Sequence, residues 1–164
     1  MVTIKAAARE DCAFIAEMIR ELAVFEHLED QVTVTAADIE NLIFNEKVGH
    51  GLIAKWDGRP AGYCLYFYNI STFKGKKGIY IEDIFIRPDY RGSGIGTWML
   101  QLVARTASEE GCGRLEWTCL DWNTRAQDFY TSMGANKIDE WEIFRVDEKC
   151  LAEFGTPKCH CNKE

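Results

Sequence analysis

The pattern of hydrophobic and polar positions along this chain predicts strands that alternate with amphipathic helices. The clearest helix spans Asp11 to Phe25, where apolar residues recur at helical spacing with charged residues between them. A later run, Ile79 to Ile86, is made mostly of β-branched and aromatic residues and predicts a buried strand. Pro88 ends that strand, and an apolar run with helical spacing begins a few residues later.

The remaining segments complete a mixed arrangement. In chain order we expect a strand over Val2–Ala7, then a short helix that Thr35 caps and that runs from Ala36 to Asn45, and a hairpin of Gly51–Trp56 and Pro60–Tyr68. The next elements expected are a turn over Ser71–Gly78, a helix from about Gly94 to Glu110, a strand over Leu115–Leu120, a helix after Asn123, a strand over Glu140–Val146 and a last helical turn within Asp147–Phe154. This order predicts an α/β (α+β) fold with a mixed, mostly antiparallel sheet flanked by helices. A single domain is expected over residues 1–154, followed by a flexible tail over residues 155–164.

Glycines alternate at Gly92, Gly94 and Gly96, between the central strand and the helix that follows it. Such a turn can aim backbone N–H groups and the positive end of a helix dipole at one anion. It is not a P-loop, because Gly96 is followed by Thr97 and Trp98 instead of Lys and Ser or Thr. The spacing G-x-G-x-G also differs from the dinucleotide fingerprint. An ordinary strand-to-helix turn is the alternative.

Composition narrows the classes of partner. The formal net charge is −7, so the chain has no basic surplus to attract nucleic acid or an anionic membrane surface, and it suits a cationic partner better. The longest apolar stretch, Ala61 to Tyr68, is far shorter than the roughly 20 residues that cross a bilayer, and no signal peptide is expected. The seven cysteines are odd in number and scattered, which favours free thiols and a cytoplasmic location.

Two carboxylates, Glu82 and Asp83, lie inside the otherwise apolar central strand. Adjacent strand residues point to opposite faces, so one can face a substrate cleft while the other flanks it. Burial would raise a carboxylate pKa toward that of a useful base, and Glu82 is the preferred candidate. An edge-strand salt bridge is the alternative. Tyr130 shares an apolar helix face with Phe129 and Met133, which by itself predicts core packing with the hydroxyl at the rim.

Other polar groups have simpler interpretations. The sequence Cys159-His160-Cys161 offers two thiols and an imidazole, a weak match to a closed zinc site, so no metal is expected. The lysines at 74, 76 and 77 predict a solvated turn.

Several segments together resemble a known family. Arg91-x-x-Gly94-x-Gly96 after a strand resembles the pyrophosphate-binding signature of the GNAT superfamily of acyl-CoA N-acyltransferases. A broader resemblance, from about Cys12 to Val146, is to the diamine (spermidine/spermine) N-acetyltransferases. It rests on Ile19–Glu26, Tyr80–Ile84, Tyr90–Gly96 and Leu120–Ala135. Within that family, Leu120–Asn123 and Ser71–Gly75 are most similar to the thialysine (S-aminoethyl-cysteine) N-acetyltransferase branch.

The resemblance implies a GNAT fold and direct transfer of an acetyl group from acetyl-CoA to a small primary amine, either thialysine- or lysine-like or a diamine or polyamine. It implies that Tyr130 is the general acid for the CoA thiolate and that Glu82 accepts the amine proton, directly or through water. The residues implied in acetyl-CoA binding are Ile84, Phe85, Ile86, Arg91, Gly92, Ser93, Gly94, Ile95, Gly96, Thr97, Asn123, Thr124, Arg125 and Ala126. Those implied in amine binding are Phe25, Glu26, Glu82, Asp83, Glu116, Trp117, Thr118 and Asp139.

The resemblance also implies a homodimer whose C-terminal strands contribute across the interface. No covalent enzyme intermediate is expected, because no cysteine stands with a base partner. Two other functions stay open: a GNAT enzyme that acetylates protein N-termini or lysines, and a CoA-binding module without catalysis. Activity on peptides but not on free diamines would select the first, whereas the presence of both Glu82 and Tyr130 argues against the second.

Overall fold

The structure is a computed structural model that describes residues 1–156. The Cys159-His160-Cys161 sequence therefore lies outside the described residues. Two compact units make up the chain, Met1–Asn123 and Thr124 onward. The expectation of one domain over residues 1–154 stays a prediction.

A five-stranded sheet forms the first unit, in the order β1-β2-β3-β4-β5. Its strands are β1 (Val2–Ala6), β2 (His50–Trp56), β3 (Arg59–Ser71), β4 (Lys76–Ile86) and β5 (Leu115–Trp117). The first four strands pair antiparallel with their neighbours, and β5 pairs parallel with β4. The predicted mixed, mostly antiparallel sheet is thus confirmed.

The two hairpins differ in how well the sequence predicted them. Between β2 and β3, Asp57 (φ 47°) and Gly58 (φ 81°) both have positive φ, as a tight two-residue hairpin turn requires. Between β3 and β4 the predicted turn over Ser71–Gly78 is wrong in extent. Ser71 pairs with Lys76, so only residues 72–75 form the turn.

Three α-helices belong to the first unit: α1 (Cys12–Glu26), α2 (Ala36–Glu40) and α3 (Ile95–Glu109). Helix α2 begins with the expected capping residue, because the Thr35 hydroxyl accepts from the Asp38 N–H while the Asp38 carboxylate accepts from the Thr35 N–H. It continues as a π-helical turn, Asn41–Asn45. Within residues 1–156, none of the helices combines the length and the hydropathy needed to span a membrane.

One hydrophobic cluster joins α1 and α2 to the sheet. Ile15 and Met18 of α1, Ile39 of α2, Ile53 of β2 and Tyr63 of β3 are all buried in it. Burying each such side chain contributes on the order of 1.5–3 kcal/mol, so this cluster fixes α1 against the middle of the sheet.

The second unit contains α4 (Thr124–Ser132) and α5 (Glu148–Phe154) in its described part. The strand expected over residues 140–146 is absent, and this segment is neither helix nor strand. A strand needs a neighbour to accept its backbone hydrogen bonds, and alternation in sequence cannot supply one. The apolar side chains that suggested a strand are instead exposed, Trp141 by 77%, Ile143 by 71% and Phe144 by 91%.

Candidate active site

Strand β4 carries an irregularity at Glu82. Its residue Asp83 pairs with Leu65 of β3, and Ile81 pairs with Tyr66, so Glu82 is an extra residue opposite no residue of β3. This is a β-bulge, a feature that occurs often beside active sites and redirects a side chain. Glu82 is exposed at this point.

The other edge of β4, which pairs with β5, loses its partner strand just before Glu82. The parallel pairing with β5 covers only Ile79–Ile81, because β5 is shorter than the predicted Leu115–Leu120. Beyond Ile81, the edge of β4 that faced β5 has no described strand beside it, although the Ile86 carbonyl accepts the Arg91 Nε–H at 2.9 Å. Unpaired backbone of this kind can hydrogen-bond an extended ligand laid along the strand.

The glycine-rich turn follows β4 and begins α3. Gly92 (φ 78°) and Gly94 (φ 86°) lie in the left-handed region that favours glycine. Gly96 does not, and a Cβ added there would meet only Ile86 Cγ1 at 3.6 Å. The first backbone bond of α3 runs from Trp98 N–H to the Gly94 carbonyl, so the N–H groups before it precede the helical ladder. This N-terminus suits a pyrophosphate, since Gly96 leaves room for close approach.

Arg91 is engaged within the protein. Its guanidinium lies over the rings of Phe25 at 5.2 Å and Phe85 at 5.6 Å, in addition to its bond to the Ile86 carbonyl. Its backbone N–H donates to the Pro88 carbonyl at 3.1 Å. The side chain predicted to hold pyrophosphate thus ties the turn to β4 and α1, and the backbone N–H groups after it are the better anion donors.

Arg87, which the sequence analysis did not single out, secures α1 at the end of β4. Its guanidinium donates to Glu17 at 2.7 Å and to Glu21 at 2.6 Å on α1, and also to the Pro60 carbonyl at 3.1 Å. Such a forked arrangement fixes orientation as well as distance. Only the glutamates' spacing along one face of α1 hinted at it in the sequence.

A cleft of about 180 Å³ lies between α1, the segment after it and β4. It is lined by Ile19, Leu22, Ala23, Glu26, Leu28, Gln31, Val32 and Asp83. Two predicted amine-binding residues, Glu26 and Asp83, therefore share one small and largely apolar wall. Both are carboxylates, so the cleft suits a cation carried on a short apolar stem.

The electrostatics of these two carboxylates differ from those of exposed acids. Burial raises the pKa of Glu26. Burial and then the charge of Glu82 raise the pKa of Asp83 to about 6, with a smaller contribution from Glu26. A hydrogen bond from the Tyr63 hydroxyl to Asp83 Oδ2, at 3.2 Å, acts in the opposite direction. The raised pKa that the sequence analysis sought for a base thus belongs to Asp83.

Two aromatic residues flank the glutamate of this cleft. Phe25 was predicted to contact the amine, and its ring lies 5.6 Å from the ring of Trp122. The residue after Glu26, His27, ends α1 with a positive φ of 60° and also lies beside Trp122, at 6.0 Å. Trp122 therefore packs against the C-terminal end of α1 through the residues on both sides of Glu26.

The predicted residues of β5 and Thr118, which follows it, are not among the residues that line this cleft. Glu116 pairs with Arg114 at 2.8 Å and accepts from Asn69 at 3.1 Å, so its charge is already matched. Thr118 accepts a hydrogen bond from the Tyr80 hydroxyl at 3.3 Å. Trp117, between them, is the last residue of β5. Their proximity to an amine stays a prediction.

Asn123 is the last residue of the first unit, and the second unit contains five further predicted residues, Thr124, Arg125, Ala126, Tyr130 and Asp139. Asn123 closes the turn before it, through an N–H bond to the Leu120 carbonyl at 3.0 Å. The three residues that follow, Thr124, Arg125 and Ala126, which were predicted to contact the cofactor, form the first turn of α4. Tyr130 lies on the same helix, half-buried, with its ring 5.4 Å from that of Phe129. Asp139 is exposed and pairs with Lys137 at 3.0 Å.

A second cleft and the distribution of possible metal ligands complete the description of the site. A cleft of about 230 Å³ beside the π-helical turn is lined mainly by apolar side chains and backbone, with His50 and Tyr66 but no carboxylate among its lining residues. Within residues 1–156, no three or more His, Cys, Asp and Glu side chains form a group able to hold a metal ion.

Comparison with known proteins gives one consistent result. The family model described as "Acetyltransferase (GNAT) family" matches residues 14–135. Thialysine N-epsilon-acetyltransferase of Bos taurus is 39% identical over 166 residues, which cover 94% of this chain and 97% of that protein. L-ornithine N5-acetyltransferase of Arabidopsis thaliana is 45% identical over a shorter stretch of 91 residues, 56% of this chain and 40% of that protein.

Solved structures share the fold. An integron cassette protein from the mobile metagenome of V. cholerae superposes with a TM-score of 0.80 at 25% identity, over 95% of this chain and 98% of that one. A predicted acetyltransferase from Clostridium acetobutylicum, solved with acetyl-CoA, has a TM-score of 0.73 at 18% identity, over 88% of this chain and 96% of that one.

Proposed function

The chain belongs to the acetyltransferase (GNAT) family and is an N-acetyltransferase, and from that premise we propose that it acetylates a small primary amine of the thialysine, lysine, ornithine or diamine type. The observation that carries the proposal is the cleft in which Glu26 and Asp83 face one small space beside the bulge at Glu82. Acidic groups in a confined apolar site favour a cationic substrate of limited size.

The family uses acetyl-CoA as its co-substrate, and the residues at the end of β4 fit that molecule. Backbone N–H groups between Gly92 and Thr97 would hold the pyrophosphate, and the open edge of β4 over Ile84–Ile86 would pair with the pantetheine arm. The co-substrate supplies the acetyl thioester. The first turn of α4 joins this set through its resemblance to the diamine N-acetyltransferases.

Acetylation removes two protons from the substrate nitrogen, one from the ammonium group before attack and one as the amide forms, and it returns one proton to the departing CoA thiolate. A lysine-type amine free in water has a pKa of about 10.4, so it must lose a proton before it becomes a nucleophile. We assign that proton to Glu82, directly or through water, because Glu82 is exposed at the bulge and is the chain neighbour of Asp83, which lines the cleft. Asp83 is the second candidate, favoured by its raised pKa. Tyr130 would protonate the departing CoA thiolate, an assignment that rests on the resemblance of residues 120–135 to the same family.

The proposal extends to assembly and location. The exposed apolar side chains at 141, 143 and 144 support a homodimer, because a monomer would leave them in water. The cysteines among residues 1–156 are free thiols, which supports a reducing compartment such as the cytoplasm.

The deciding experiment measures thiol release from acetyl-CoA and compares kcat/KM for thialysine, lysine, ornithine, spermidine and a basic peptide. We expect an amino-acid diamine such as thialysine to exceed the peptide by at least tenfold, a difference of about 1.4 kcal/mol. Peptide acetylation without turnover of any free diamine would contradict the proposal.

A control variant assigns the turnover to this site. Tyr130→Phe is expected to lower kcat by about 10²-fold or more, in the range that general acid catalysis contributes, without changing the order of substrates. Tight CoA binding together with thiol release indifferent to Tyr130→Phe would favour the non-catalytic module.

A further inference from the structure

We propose that Tyr63 is a positioning residue for the amine, whose buried hydroxyl holds Asp83 ionised and correctly oriented at the wall of the cleft. This inference rests on the proposed function. It adds a residue of β3, which neither the sequence motifs nor the resemblance assigned, to the recognition of the cationic substrate.

The position of Tyr63 in the sheet makes this contact specific. Tyr63 pairs with Phe85 and Leu65 pairs with Asp83, so Tyr63 and Asp83 are diagonal neighbours across the β3–β4 ladder. Directly paired residues share a face, and Tyr63, Leu65 and Phe85 all pack in the cluster beneath α1. Asp83 therefore points to the same face as α1, where the cleft lies.

The hydroxyl of Tyr63 is a polar group buried in the hydrophobic cluster. Its side chain is fully buried, 0% exposed, and its ring packs at 6.4 Å from that of Phe85. A phenylalanine would fill the same space without burying a polar group, which costs free energy unless it is hydrogen-bonded. The 3.2 Å hydrogen bond to Asp83 Oδ2 satisfies that hydroxyl and leaves Asp83 Oδ1 for another partner.

The charges around Asp83 show what the hydrogen bond does. Glu82 on its own strand and Glu26 from α1 are acids, and Tyr63 of β3 lies on the same face as Asp83. Cys64, next to Tyr63, pairs with Ile84 and points to the other face of the sheet. Burial raises the pKa of Cys64, so that thiol stays neutral. Burial and both acids favour protonated Asp83, and the Tyr63 O–H opposes them because it donates to the charged form. A protonated Asp83 would no longer attract a substrate ammonium group.

Tyr63→Phe separates this role from simple packing. Loss of the donor should raise the pKa of Asp83 by about one unit, the worth of a hydrogen bond to a charged group. The acidic limb of kcat/KM for the amine then moves upward by the same amount. KM for the amine should rise severalfold at pH 6 and approach the wild-type value at pH 9, where Asp83 is ionised in both proteins. The KM for acetyl-CoA should not change.

Tyr68→Phe is the matched control. Tyr68 lies on the same strand and also donates to a carboxylate, Glu110 Oε2 at 2.8 Å, but neither residue lines the cleft. Its pH profile should follow the wild type. An equal loss of amine kcat/KM at every pH in Tyr63→Phe, or an unchanged acidic limb, would overturn the proposal.

A direct titration keeps the test independent of turnover. The carboxyl ¹³C resonance of Asp83, assigned through Asp83→Asn, is followed by NMR from pH 4 to pH 8 in the wild type and in Tyr63→Phe. A higher midpoint in the variant supports the proposal, and identical midpoints refute it.

If wild-type protein acetylates none of the amines, the proposed function fails while this titration still decides whether Tyr63 controls the ionisation of Asp83. Should Tyr63→Phe not fold, Asp83→Asn must raise KM for the amine and change the acidic limb of kcat/KM, and a variant with the wild-type KM and an unchanged limb would refute the proposal.

Discussion

Single glycines in the turn between β4 and α3 differ in whether the backbone or a ligand would require them. Gly92 and Gly94 adopt φ values of 78° and 86°, so the backbone itself demands glycine there. Gly96 has an unexceptional conformation, and only Ile86 Cγ1 approaches its added Cβ, at 3.6 Å. What an added methyl group at 96 would obstruct is the approach of a ligand to the N-terminus of α3.

Gly96→Ala should therefore change stability and binding in opposite directions. Alanine within a helix is favoured over glycine by about 0.5–1 kcal/mol, so thermal unfolding should occur at the same or a higher temperature. CoA affinity, measured by isothermal titration calorimetry, should fall about tenfold or more because the methyl group displaces the pyrophosphate. Gly94→Ala provides the contrast, since its positive φ should cost about 1–2 kcal/mol of folding free energy. Unchanged CoA affinity in Gly96→Ala would count against this site.

At the level of elements, a buried ion pair joins the start of α1 to β2. Lys55 Nζ lies 2.6 Å from Asp11 Oδ1, and the Asp11 side chain is 0% exposed. The Ala8 N–H donates to the other carboxylate oxygen at 3.0 Å. Burial alone would raise the pKa of Asp11, but Lys55 and the Ala8 N–H outweigh it and hold that pKa below its usual range. The pair thus stabilises the fold above the unfolded-state pKa and ceases to do so as pH falls through the lowered folded-state value.

Lys55→Met should leave Asp11 buried without its counter-ion. Breaking such a pair costs about 3 kcal/mol, which we expect in the free energy of unfolding in urea at pH 7. Burial would then raise the pKa of Asp11, so protonation would favour the folded state and the deficit should shrink as pH falls to about 4.5. Lys77→Met, which breaks an exposed pair with Glu110, should change stability little at either pH. A deficit of equal size at both values of pH would contradict this account.

Elements set by local sequence could be predicted, whereas features set by the register between strands could not. Helix α1, the hairpin at Asp57-Gly58 and the turn before α3 were predictable, because periodicity and turn residues are local. The bulge at Glu82 was not, since it arises from the register between two strands. For the same reason, the sequence could place two acids on β4 but could not tell which lines the cleft. The Tyr63–Asp83 contact joins residues 20 positions apart and needs that register too.

For the whole molecule, the segment after Asp139 is the least consistent with a monomer. Its alternating pattern predicted a strand, yet the chain supplies no neighbouring strand within its described part and leaves Trp141, Ile143 and Phe144 exposed. An apolar segment of this kind gains free energy by burial at an interface, at about 25 cal/mol per Å². The homodimer proposed above would bury these side chains between two copies of the chain.

Phe144→Asp tests that assembly. We expect the wild type to have the mass of a dimer by light scattering at micromolar concentration, and the variant to have the mass of a monomer, because a carboxylate would have to be desolvated in the interface. Phe73→Asp, at an equally exposed phenylalanine in the β3–β4 turn, should remain dimeric. A wild type that is monomeric throughout would exclude the homodimer.

Deletion of the Glu82 codon would remove the bulge without changing the pairing of the residues on either side of it. Because Glu82 faces no residue of β3, loss of its codon would leave Ile81 paired with Tyr66 and Asp83 paired with Leu65 as adjacent rungs of one ladder. Every neighbouring side chain would keep its face, and the cleft would keep Glu26 and Asp83. Deletion of a single codon could therefore remove the proposed base from a lineage while leaving amine binding inherited intact.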